Sequence, residues 1–76
     1  MKQEIYNADP IIKFLSFCIN LYAERKSILE KQAFFILKEY GVLEFLENNY
    51  EMEHCLSESY IFDDMASIIE GKASIG

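Results

Sequence analysis

From Ile11 to Tyr22 the chain is apolar except at Lys13, Ser16 and Asn20. At about 100° per residue, these three, with Asp9 and Glu24, fall in one helical stripe about 80° wide. The rest of the circumference carries Ile11, Ile12, Phe14, Leu15, Phe17, Cys18, Ile19, Leu21 and Tyr22. A helix apolar on nearly all sides must be buried on most of them. A chain of 76 residues has little material with which to bury it. The pattern predicts a first helix from Asp9-Pro10 to about Arg25, with part of its surface left for another chain. Asp9 is placed as N-cap and Pro10 as the first helical residue.

The next segment repeats the helical period. Ser27 and Glu30 have capping-box spacing, which predicts Ser27 as the start of a second helix. That helix should end at Tyr40, with Gly41 in the left-handed conformation. Leu29, Ala33, Ile36, Leu37 and Tyr40 form an inward face about 100° wide. Phe34 lies to one side and is expected to be covered by a later helix. Phe35 lies nearly opposite, with Ile28 one heptad before it. The two are expected to form an outer docking stripe flanked by Lys31, Gln32 and Glu39.

A short third helix is predicted from Val42 to about Asn49, then one helical turn and a loop across residues 50–59. A last helix should run from about Phe62 to Glu70, stopped by Gly71. The fold class is therefore all-α, one domain of four to five helices over residues 1–76. Flexible ends are expected at about 1–8 and 72–76. The expected core is Phe14, Phe17, Cys18, Leu21, Ile36, Leu37, Leu43, Leu46, Met65 and Ile68.

Charge changes the picture. Residues 1–38 carry a net charge of +2 and residues 39–76 a net charge of −8. No Lys or Arg occurs between Glu39 and Gly71. Such a half repels phosphate, so nucleic acid is not an expected partner. It would attract a basic protein surface, with Glu44, Glu47 and Glu51 as candidate contacts. The same acids would also keep an apolar small domain in solution. The apolar run is about twelve residues, short of the roughly twenty that span a bilayer, so no membrane association is expected. No secretory leader is expected either. Cys18 and Cys55 make neither a zinc pattern nor a disulfide framework, and a reducing cytoplasm is the expected compartment.

Candidate chemistry is sparse. His54 is the only histidine. Helical spacing can bring it to Tyr50, and a contact with Asp63 or Asp64 would anchor the loop. A Cys55–His54 nucleophile pair needs the base to face the thiol, which neighbouring residues seldom allow. Asp63 and Asp64 are accounted for by the dipole at a helix start. No catalytic, metal-binding or cofactor-binding set is predicted, and the chain is not expected to be an enzyme. The basic cluster Arg25-Lys26 with Lys31 is too small to argue for a DNA-binding helix-turn-helix.

Phe14-x-x-Phe17-Cys18-Ile19-x-x-Tyr22, Gly41-Val42-Leu43, Tyr50-x-x-x-His54 and Tyr60-Ile61-x-Asp63-Asp64-Met65 occur in that order. Over about residues 11–70 this resembles a family of short bacterial proteins classed only as a domain of unknown function. The family shows a Leu-His pair and a short Gln-Gly turn where this chain has Glu53-His54 and Cys55-Leu56-Ser57-Glu58. Members of the family are often encoded beside a larger protein resembling ADP-ribosyltransferases, in an arrangement like toxin and antitoxin. The resemblance implies an accessory or neutralising protein that binds such a partner. Candidate partner-binding residues are Ile28, Phe35, Glu44, Glu47, Tyr50, Glu51 and His54. The alternative is a self-associating structural homodimer that buries the same helix faces symmetrically.

Overall fold

The computed structural model describes residues 9–75. The expected flexible start at residues 1–8, and Gly76 at the other end, lie outside the described residues. Five helices are present there: α1 (Pro10–Lys26), α2 (Glu30–Glu39), α3 (Val42–Asn48), α4 (Tyr50–Glu53) and α5 (Glu58–Ile75). The all-α assignment holds, and no strand occurs among these residues.

α1 begins as the sequence requires. The Asp9 Oδ1 atom accepts hydrogen bonds from the Ile11 and Ile12 amides at 3.1 and 3.2 Å. Pro10 occupies the first turn, where its missing N–H costs nothing. The other end of the helix differs from expectation. Ser27 does not open α2; it closes α1, with φ 59° in the left-handed region. Its amide donates to the Glu24 carbonyl and the Ile28 amide donates to the Ala23 carbonyl. These two bonds form a Schellman motif, satisfying carbonyls that the helix leaves free. α2 starts after Leu29, whose amide donates to the Gln32 side chain at 3.0 Å.

Short connections return α2 against α1, and α3 and α5 complete the packing. Gly41, with φ 74°, makes the turn between α2 and α3. Cys18, Leu37, Val42, Leu46 and Met65 are fully buried at the centre. Phe14, Leu21, Tyr22, Ala23, Ala33 and Ile61 surround them. Ile36, Leu43 and Ile68 only pack against this core from its margin. Phe17 is not in the core: it is 40% exposed. It lies at the edge of the packed face of α1, beside Leu21 and on the flank away from Tyr22.

α5 is longer than predicted, starting at Glu58 and running through Gly71 to Ile75. A glycine stops a helix when the next turn takes the left-handed form; inside a helix it costs only about 1 kcal/mol. Gly71 has no positive φ and no heavy atom beside its Cβ position. The first part of α5 is tied to α1 through aromatic contacts. Tyr22 stacks on Phe62 at 5.8 Å, and the Arg25 guanidinium lies 5.3 Å from the Phe62 ring centre.

Candidate interaction surfaces

α2 presents two aromatic rings outward. Phe34 is 37% exposed and Phe35 54% exposed. They meet edge to face, with centroids 5.6 Å apart. Phe34 is therefore not covered by a later helix, contrary to expectation. Ile28, the other half of the expected stripe, is half-buried against the core in the α1–α2 turn. The real stripe is Phe34 with Phe35. Around the helix at 100° per residue, one arc of about 100° contains Phe34, Lys38, Lys31 and Phe35 and nothing else. The Lys38 ammonium lies 5.9 Å from the Phe34 ring centre. The sequence pattern discloses Phe35 and its flank Lys31, but the hydrophobic positions do not disclose Lys38 as part of the same arc.

Elsewhere the exposed apolar side chains include Ile12 and Phe17 on α1 and Met52, Leu56 and Tyr60 around α4 and the start of α5. The apolar excess of α1 thus persists in the folded chain at these two positions.

The acidic half builds a second surface. Ile11, Glu47, Asn48, Asn49, Tyr50, Glu51 and Met52 line an open cleft of about 510 Å³. Three of the candidate residues, Glu47, Tyr50 and Glu51, come together here. Glu44 is exposed on α3 but does not line the cleft. Phe35 stands apart on α2. Tyr50 is half-buried and set edge-on to Phe14 at 5.5 Å, which ties α4 to α1. His54 stacks on the Tyr50 ring, with centroids 4.3 Å apart and planes 9° from parallel. Its Nδ1 lies 2.8 Å from the Tyr50 carbonyl oxygen, and a carbonyl can only accept. Nδ1 therefore carries a proton.

The expected anchoring of His54 by Asp63 or Asp64 is not formed; its ring is taken up by Tyr50 within its own turn. Cys55 lies near it, with Sγ 4.0 Å from Nε2 and 3.5 Å from the Glu51 carbonyl oxygen. Both cysteines are free: Cys55 is exposed and Cys18 is buried. Burial, then the charge of Glu53, pushes the Cys18 thiol up to about 12. Among the described residues no group of three or more metal-binding side chains occurs. No helix there is long and apolar enough to cross a membrane.

The acid that does engage α5 is Glu53, one residue before His54. It is buried, 2% exposed, in a run that reads as a solvated acidic stretch. Its Oε1 has no hydrogen-bond partner, and Asp64 of α5 is the neighbouring acid. Burial first, and then Asp64, pushes its pKa up to about 7. Periodicity alone gave no sign of it.

Residues 13–72 match the family described as a protein of unknown function (DUF3791), and the chain belongs to that family. No curated protein and no solved structure matches the chain.

Proposed function

We propose that this DUF3791 protein is a protein-interaction module without catalytic activity of its own. The observation that carries the reading is the Phe34–Phe35 pair standing in solvent on α2. Aromatic side chains are enriched where protein surfaces meet, and a few such anchors carry most of an interface's energy. A chain this small gains nothing in stability from two exposed phenyl rings, whereas a partner that covers them does.

The partner is proposed to be a larger protein with a basic cleft that receives the acidic surface around Glu44, Glu47 and Glu51. Tyr50 and His54 offer an aromatic wall on which a guanidinium or ammonium group can rest. The family resemblance points to an ADP-ribosyltransferase-like partner and an accessory or antitoxin-like role. An acidic surface suits a cleft that otherwise takes phosphate groups.

One observation favours the rival reading, a homodimer. The Phe34–Phe35 arc carries Lys31 and Lys38, so the basic face of one copy complements the acidic half of another. In a two-fold dimer both contacts form at once. Solution mass at micromolar concentration separates the readings. A monomer that gains mass only with a partner supports the first. A stable dimer by itself, lost in the Lys31→Glu/Lys38→Glu variant, supports the second.

A further inference from the structure

Just past the end of α4, two neighbouring side chains fold back onto the helix instead of parting. Side chains of a helical turn lean toward its N-terminus, so residues 54 and 55 meet residues 50 and 51. His54 lies flat on Tyr50, and its Nδ1 donates to the Tyr50 carbonyl oxygen at 2.8 Å. A neutral imidazole with its proton on Nδ1 keeps a lone pair on Nε2. Nε2 is 4.0 Å from the Cys55 Sγ, close enough for a weak S–H···N hydrogen bond. The other acceptor for the thiol is the Glu51 carbonyl oxygen at 3.5 Å. Sequence neighbours seldom set a base beside a thiol, but this turn does. A nucleophile, a base and a third group that orients the base are the parts of an activated thiol. Cys55 is exposed, so its sulfur can be reached, whereas Cys18 is buried in the core.

We infer that Cys55 is a thiol-modification site that exchanges with small cationic disulfides, with His54 as its base. The inference goes beyond the partner-binding reading and does not depend on it. The Cys55 thiol gives its proton to Nε2, and the thiolate attacks one sulfur of the disulfide. A new S–S bond forms to Sγ as the old S–S bond breaks. The departing sulfur leaves with the electron pair as a thiolate and takes the proton from the imidazolium. Cys55 is oxidised to a mixed disulfide, and the other half of the reagent is reduced to a thiol. An excess of a small thiol reverses the step. The preference for a cation follows from the surroundings. Glu51 and Glu58 are exposed on either side of Cys55 in sequence, and no Lys or Arg occurs between Glu39 and Gly71. Such a field draws a positively charged reagent and repels an anionic one. The adduct stands beside Glu51 and Met52, two residues of the acidic cleft, so modification alters the rim of that surface.

Adduct formation on the full chain, followed by mass spectrometry near neutral pH, tests the site. The probes are cystamine, a cationic disulfide, and oxidised glutathione, an anionic one. Each rate is taken relative to the same probe's rate with an uncharged cysteine peptide. One adduct should form, on Cys55, with Cys18 untouched until the chain is unfolded. His54→Phe keeps an aromatic ring on Tyr50 but removes the base, and should slow the reaction about tenfold. A purely structural role for His54 would leave the rate of this variant unchanged. Cystamine should react about tenfold faster than oxidised glutathione, by a ratio that shrinks as salt rises and in Glu51→Gln/Glu58→Gln. A His54→Phe chain as helical as wild type and as reactive overturns the inference. So does an adduct on Cys18 of the folded chain, or equal relative rates for the two probes. If His54→Phe does not fold, His54→Leu decides by the same criterion.

Discussion

In the α1–α2 hairpin the buried side chains are Phe14, Cys18, Leu21, Tyr22, Ala23, Ala33 and Leu37, and the lysines and aromatic rings that remain face water. In the Tyr50–Leu56 segment the buried side chain is an acid, while Met52 and Leu56 lie outside. The hairpin is held by close packing, which titration does not touch. The segment is held by one aromatic contact, Phe14 with Tyr50, and encloses an acid whose Oε1 has no partner. Local stability follows buried apolar contact, so the hairpin serves as the scaffold and the segment as the part that can yield. Both regions nevertheless leave apolar side chains exposed. That shared trait, across such different construction, is the strongest support for a partner.

The contrast breaks most sharply in the hairpin core. Leu37→Ala should destabilise the chain by about 2–5 kcal/mol, since Leu37 is fully enclosed. Phe17→Ala should cost less than about 1.5 kcal/mol, although the sequence pattern places Phe17 in the core as well. Urea unfolding of the two variants checks the ranking, and an equal cost would place Phe17 back in the core.

The segment should break next, by pH. The folded-state pKa of Glu53 is raised, so its contribution to stability is intact below the unfolded value of about 4.3. It is lost as pH rises toward about 7 and is then constant. The loss should be on the order of 3–4 kcal/mol. Unfolding measured at several pH values should show this slope in wild type and none in Glu53→Leu, which should also be more stable above neutral pH. A wild type that gains stability over that interval would contradict the buried acid.

The two surfaces should differ in how they act on a partner. Phe35→Ala should weaken binding by about 2 kcal/mol or more, mostly through faster dissociation, with the fold unchanged. Neutralising Glu44, Glu47 and Glu51 together should mainly slow association, by an amount that shrinks as salt rises. Stopped-flow binding at two ionic strengths separates them. The same rate constant altered in both variants would erase the distinction between anchor and steering charge.

Much of the fold was legible. Asp9-Pro10 and Gly41 carry their conformational meaning locally, so the start of α1 and the α2–α3 turn could be read directly. Ser27 misled because capping-box spacing coincided with a site where the chain turns left-handed to close α1. Gly71 misled because a glycine marks an end only where the backbone needs positive φ. Phe17 was beyond reach for another reason: a helix apolar nearly all round does not declare which side is packed. The surfaces were half legible. Phe35 stood out by its place on the wheel. Ile28 needed the α1–α2 turn to reveal it as half-buried. Glu53 could not be found by pattern, because Glu51, Met52, His54 and Cys55 around it in sequence all face water and only the tertiary packing makes its site an interior one.

The most direct test of the account is paired affinity recovery from the native host with wild type and Phe35→Ala, each with circular dichroism as folding control. The account predicts that wild type retains one defined, larger protein with a basic surface, and that an equally helical Phe35→Ala variant retains little of it. Equal recovery by both would remove the α2 aromatic pair from the interface. A monodisperse wild-type monomer that retains nothing would contradict the interaction reading itself.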